Sequence, residues 1–388
     1  MSTMLKKLIM QNYLSYLKIF FNSRWIFKPP KQKKILIYDG NSNPFKEYFK
    51  ERDYNIFFRR GEEINLYLIS KMILNLNISA DSYTELFLDY AKPKIIITAI
   101  DNNHKFYGLK KKFSIPTAFV QNGTRTNWGD IFSKKEIIKK SNKKIFEVDF
   151  MFVFNETIAK KYNSFISGKT FSIGSFKNNI NLKNIKQNKK KEILFISTFK
   201  LGKAGKRSLL DKVFYKNDDI VIRHISEFAK KNNIKFNVLG RSMGILSGTS
   251  ETEKNYYNNI CTESYKFIPN YKDRKTYEIV SDYKYILTID STLGIENLAR
   301  GERTAFLFNR PYKFPIHTRR YGGTENLPRR GPNWTTYNKT SEFNRVLKYL
   351  FINNEKNWKK THLKFTKKTM EYDSGNKKFL KIINRCIK

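Results

Sequence analysis

Residues 285–308 read YILTIDSTLGIENLARGERTAFLF. The run 285–289 has the continuous apolar character of a buried parallel strand, and Asp290-Ser291-Thr292-Leu293-Gly294 interrupts it. From Ile295 the pattern reads as a short helix, and RTAFLF (303–308) is a second strand. In an open parallel sheet, ligands sit beyond the carboxyl ends of the strands. The turn 290–294 is therefore where chemistry is expected. A helix starting there aims backbone N–H groups and a positive dipole end at the crevice. Ser291 and Thr292 add hydroxyl donors, and Gly294 would let a ligand approach the backbone, features that suit a phosphate. Glu296, one turn on, suits a vicinal diol such as ribose. The same residues also suit a plain helix cap, with Asp290 or Ser291 capping and Glu296 closing the cap or pairing with Arg300.

Outward from this segment the alternation repeats. Upstream, EILFIST (192–198), KFNVLGR (235–241) and YKFIPN (265–270) read as strands, with helical patterns at 219–233 and 274–282. An earlier series of strands lies at 34–39, 54–60, 94–100, 116–123, 150–155 and 170–176, separated by helical stretches at 43–52, 64–75, 80–91, 103–113 and 156–166. The helix at 80–91 is expected to start on an Asp81 or Ser82 cap. Strands that are apolar throughout and alternate with helices predict parallel sheets covered on both faces. The fold class is α/β: two Rossmann-like domains facing a cleft, with C-terminal helices. The boundaries are a basic amphipathic segment at 1–33, a first domain at 34–176 and a polar, basic linker at 177–191. A second domain follows at 192–340, then helices at 341–388.

The 388 residues accommodate two such domains, and 40% hydrophobic content supplies their cores. Two cysteines cannot build a disulfide framework, and no Cys/His spacing suits zinc. The formal charge of +41 fits nucleic acid, an anionic membrane or anionic substrates, but no nucleic-acid-binding signature accompanies it. The Lys-, Asn- and Ile-rich bias of a low-GC genome also explains such a charge. No apolar run reaches the ~20 residues that span a bilayer. Segment 1–33 mixes Leu, Ile, Phe and Trp with Lys6, Lys7, Lys18, Arg24 and Lys28, as an amphipathic helix on anionic lipid would, or one packed on its own domain.

The segment IDSTLGIENLARGERTAFLF (289–308) resembles the Ser-Thr…Glu segment of GT-B glycosyltransferases that build bacterial capsule and lipopolysaccharide, including keto-deoxy-octulosonate transferases. IPTAFVQNGTRTNWGDIF (115–132) is similar to their strand ending in a Gln-His-Gly or Gln-Asn-Gly turn; Asn122 stands where histidine is found in others. By this resemblance Ser291 and Thr292 hold phosphate and Glu296 holds ribose, while Gln121, Asn122, Gly123 and Arg125 bind sugar or acceptor. Gly123 is expected to permit a tight turn. The implied activity is transfer of a sugar from a nucleotide-activated donor, a CMP-linked keto sugar first and UDP-hexoses next, to a surface glycan. CDP-glycerol-type polyol-phosphate transfer and a non-catalytic nucleotide-sugar-binding protein of a glycan assembly complex are the alternatives. The location implied is cytoplasmic, peripheral at the inner face of the membrane.

No Asp-x-Asp motif is present to hold a divalent cation, so neither metal nor cofactor is expected. Charge on the leaving phosphate falls to Lys200 and Arg241, which follow the first two strands of the second domain. An inverting reaction needs a base. Asp101, after the strand 94–100, is the first candidate and Asp130 the second; His104 and Asp39 also lie at strand ends. Arg319, Arg320, Arg329 and Arg330 occupy a Gly/Pro-rich loop that would lie over the cleft.

Overall fold

The computed structural model describes residues 21–40, 43–125, 146–181, 188–199, 209–243, 249–270, 274–308 and 328–388. The chain begins with β1 (Arg24–Ile26), β2 (Ile35–Tyr38), β3 (Tyr54–Phe57), β4 (Glu63–Asn65), β5 (Ile95–Thr98), β6 (Thr117–Val120), β7 (Phe146–Val153) and β8 (Ile166–Ser172). It continues with β9 (Lys190–Ile196), β10 (Phe236–Met243), β11 (Lys266–Asn270), β12 (Tyr283–Thr288), β13 (Thr304–Leu307), β14 (Arg330–Gly331) and β15 (Trp334–Thr335).

The first domain holds a six-stranded parallel sheet in the order β3-β2-β5-β6-β7-β8. Every side chain of β2, β5 and β6 is buried, as in a sheet covered on both faces. The helices Leu66–Leu74, Ala80–Ala91 and Glu156–Phe165 start on Asn65, Ser79 and Asn155, each accepting a backbone N–H three residues on. The cap of Ala80–Ala91 is therefore Ser79, not Asp81 or Ser82. Residues 43–52 form two 3-10 turns, Pro44–Glu47 and Glu51–Asp53, in place of a helix. The strand expected at 170–176 starts at Ile166. Residues 24–26 pair in parallel with 63–65 as a short strand, and residues 1–20 lie outside the described ones.

The second domain has a seven-stranded sheet in the order β11-β10-β9-β12-β13-β15-β14, parallel except for the β14–β15 hairpin. The helices Thr340–Ile352 and Glu355–Thr369 pack on it; the Trp334 and Phe365 rings meet edge-on at 4.1 Å. The last helix, Lys377–Ile387, crosses back and buries Phe379 and Ile383 against Ile35, Ile37, Ile95 and Ile97 of the first domain. The two chain crossings are joined to each other. Gly174 and Tyr372 form an antiparallel bridge, Gly375 N donates to Asn179 O at 2.7 Å, and Asn179 Nδ2 donates to Asn376 Oδ1 at 2.9 Å.

Candidate functional site

The second sheet has the strand sequence 3-2-1-4-5 from β11 to β13, so its order reverses between β9 and β12. That is the topological switch point, and the turn 290–294 leaves the sheet there. The two strand ends are tied together: Thr288 Oγ1 donates to Ile196 O at 3.0 Å and accepts from Ser291 N at 3.3 Å. The helix Thr292–Ala299 begins one residue after Ser291, whose hydroxyl makes no capping bond. Ser291 O accepts from Gly294 N and Ile295 N, leaving the N–H groups of Thr292 and Leu293 without a protein partner among the described residues. An uncapped helix end with two hydroxyls beside it leaves hydrogen-bond donors of the kind that suit an anion.

Gly294 serves packing. A Cβ there would lie 2.6 Å from Thr288 Cγ2 and 3.3 Å from Phe306 Cε1, so the glycine lets the helix lie against β12 and β13. This replaces the expected role of ligand approach.

Glu296 is nearly buried, at 5% exposure. Ser175 Oγ donates to its Oε1, Tyr277 hydroxyl donates to its Oε2 at 3.0 Å, and Asn178 Nδ2 donates to its main-chain oxygen at 2.8 Å. It does not pair with Arg300, which gives Nη2 to Asn297 Oδ1 at 2.9 Å. Burial pushes the Glu296 carboxyl up, while the Ser175 and Tyr277 hydrogen bonds and the charges of Lys177 and Arg300 pull the other way. Two polar atoms close by, Asn178 Oδ1 and Arg300 Nη1, are buried with no partner. Ser175 and Asn178 come from the crossing that leaves β8, so the carboxyl ends of the two sheets meet at Glu296. Ser175, Asn178 and Tyr277 carry no motif of their own. IGSFKNN (173–179) straddles the end of the expected strand and the start of the expected linker, and nothing in it singles out Ser175 or Asn178.

Arg241 extends from β10 across the end of β9, with Nη1 3.3 Å from Thr198 O and 3.4 Å from Phe199 O. Its main-chain N–H is held by both oxygens of Glu253, a fully buried carboxylate that also accepts from Ser197 Oγ. Arg241 thus lies at the switch point, partly engaged in holding the β9 loop. Lys200, Asp130, Arg319 and Arg320 lie outside the described residues.

In the first domain Asp101 is fully buried and saturated. Arg125 donates Nε and Nη2 to its two oxygens, Tyr162 hydroxyl donates to Oδ2, and Asn122 N donates to Oδ1 at 3.0 Å. With both oxygens so occupied, Asp101 orders the 121–125 loop and has no lone pair turned to an acceptor, which removes it as the geometric choice of base. Arg125, its ion-pair partner, is buried with it. Gln121 is also buried, bridging Gly123 O and Phe154 N. Asn122 is exposed. Gly123 does not adopt a positive φ, and a Cβ there would meet only Arg125 Nη1 at 4.0 Å, so the turn does not require glycine.

Residues 118–387 match a family described as "putative O-antigen biosynthesis protein". The chain belongs to this family. Its place is therefore in surface-glycan biosynthesis. No curated protein matches it in sequence. Among solved structures it is similar to the wall teichoic acid polymerase TagF, at 14% identity over 92% of this chain and 90% of that one, with a TM-score of 0.53. UDP-GlcNAc 2-epimerase from Neisseria meningitidis, solved with UDP-GlcNAc, aligns at 12% identity over 92% and 99%, TM-score 0.51. The S. aureus MnaA–UDP structure aligns at 12% over 90% and 95%, also with a TM-score of 0.51. At such identities the likeness is one of fold, the two-domain GT-B arrangement.

Proposed function

We propose that the protein is a nucleotide-sugar-dependent glycosyltransferase of surface-glycan assembly, with the nucleotide seated on the second domain. One observation carries this reading: an uncapped helix start with Ser291 and Thr292 sits at the switch point, and the buried Glu296 carboxylate follows in the same helix. Thr292 N, Leu293 N and the hydroxyls take the phosphates, with Arg241 beside them. Glu296 has two acceptor positions left after Ser175 and Tyr277, enough for a ribose diol. The helix end and hydroxyls carry the leaving-group charge that a divalent cation would otherwise hold. The nucleotide bound in the UDP-GlcNAc 2-epimerase and MnaA structures supports a nucleotide on this fold. We favour a CMP-linked keto sugar as donor. The enzyme works at an anionic membrane face, reached through segment 1–33 and the exposed apolar residues Ile73, Leu74, Leu76 and Ile78.

Thermal melts with CMP, CDP and UDP test the reading. A nucleotide at a hundred times its Kd stabilises by about 2.7 kcal/mol. One of the three should raise Tm by several degrees, and Glu296→Gln, which keeps the side-chain shape and one of the two hydroxyl donations while the other hydroxyl turns to accept from the amide, should abolish that rise. CMP alone marks the keto-sugar donor, CDP the polyol-phosphate alternative and UDP a hexose donor. No shift with any nucleotide would end the proposal.

A further inference from the structure

The first sheet also has a switch point, between β2 and β5, because the chain leaves β2 for β3 on one side and returns to β5 on the other. Two carboxylates stand there in opposite environments. Asp101, past β5, receives four donors. Asp39, at the end of β2, receives two long contacts on one oxygen: Arg60 Nη2 at 3.3 Å and Asn103 Nδ2 at 3.4 Å, both to Oδ2. Its Oδ1 is buried with no partner, and the side chain is 3% exposed. The backbone of Asp39 is left-handed, φ 60°, a conformation that costs a non-glycine residue free energy. Gly40 follows under constraint, since a Cβ there would fall 2.1 Å from Ile56 Cγ2. A strained residue carrying an under-bonded buried carboxylate at a switch point keeps an acceptor position that no donor among the described residues fills, and a hydroxyl is one group that can fill it.

We infer, building on the transferase reading above, that Asp39 is the catalytic base and that its site takes a hydroxyl of the acceptor glycan. Ser175, past the carboxyl end of β8, bonds Glu296 beyond the carboxyl end of β12, and Asp39 stands at the carboxyl end of β2 in the same parallel sheet as β8. The acceptor O–H bond breaks and its proton passes to Asp39 Oδ1. The freed oxygen pair forms the bond to the anomeric carbon of the donor. The bond from that carbon to the phosphate oxygen breaks, and its electron pair leaves on the nucleotide phosphate. One displacement inverts the anomeric configuration. Arg60 and Asn103 engage Oδ2 and so leave Oδ1 as the oxygen that takes the proton.

Asp39→Asn and Asp101→Asn separate the roles. Asparagine tolerates the left-handed backbone, so Asp39→Asn should melt at or above the parent temperature, while Asp101→Asn should melt several degrees lower. A fall at Asp39 as large as that at Asp101 would make Asp39 structural and overturn the inference. Nucleotide release is then followed with UDP-N-acetylglucosamine, a CMP-linked keto sugar and CDP-glycerol as donors, and with water and simple glycosides as acceptors. Asp39→Asn should lose about 100-fold or more in kcat with donor KM within about twofold, keep the nucleotide-induced Tm shift, and lose the acidic limb of the pH profile. A parent that turns over a donor and a variant that matches it overturn the role of Asp39 alone. A parent that no nucleotide stabilises overturns the transferase reading and the base together.

Discussion

Gly294 and Gly123 both follow parallel strands in loops at the carboxyl end of a sheet, and by residue type alone they are equivalent. Their surroundings separate them. A methyl at Gly294 meets the stiff side chain of Thr288 and the ring of Phe306, both buried, whereas a methyl at Gly123 meets only Arg125 Nη1, at 4.0 Å. Gly294→Ala should cost about 1–3 kcal/mol by denaturant unfolding, and Gly123→Ala should stay within about 0.5 kcal/mol. Equal losses at both positions would contradict the packing role of Gly294. Side-chain type at 290–296 was legible from the sequence because strand-end turns announce themselves by a break in apolar pattern. The ranking of the acids was not. Asp39 and Asp101 each follow an apolar strand, and only the donors that reach them, Arg125 and Tyr162 from distant parts of the chain, tell a saturated carboxylate from an open one.

Among the elements, the junction of the two helices after β15 depends on one cation. Arg303, just ahead of β13 and 6% exposed, donates Nη1 to Leu350 O at 3.0 Å and Nη2 to Asn353 O at 2.6 Å. It also bonds Glu355 Oε1 at 2.8 Å, at the start of the next helix. The carbonyls at the end of Thr340–Ile352 are thus satisfied from outside the helix. Arg303→Met keeps the apolar stem and strands these carbonyls, which should cost about 1–3 kcal/mol. The Arg303 hydrogen bond holds the Glu355 carboxyl below the usual carboxylate range. For a carboxylate depressed in the fold, the stabilisation is full above the unfolded pKa and is lost as pH falls through the folded one. The deficit of Arg303→Met should therefore be largest near neutral pH and shrink below about pH 4.5. A deficit that is constant with pH would remove Glu355 from this account. Element type was readable here from apolar period, while the end of a helix was set by a residue 50 positions away in sequence.

For the whole molecule, charge and exposed apolar residues bear on location. The chain carries +41 formal charges, and the stretch 73–78 exposes Leu76 at 93% and Leu74 at 74%. No described helix is long and apolar enough to cross a membrane. Sedimentation with phosphatidylglycerol vesicles should carry the protein down at low salt and release it as salt rises, with little binding to phosphatidylcholine. Leu76→Asp with Ile78→Asp should weaken binding at least tenfold; equal binding to both lipids, or no loss in the double variant, would refute the membrane proposal. The two-domain α/β plan, the position of the turn 290–294 and the helical tail were all written in apolar periodicity, which is a local property of the chain. Three features were not. Ser175 and Tyr277 on Glu296, the return of Lys377–Ile387 to the first domain, and the open oxygen of Asp39 each join residues far apart in sequence. Hydrogen-bond saturation and burial are set by neighbours that arrive only when the chain has folded, so a saturated acid could be told from an open one nowhere else.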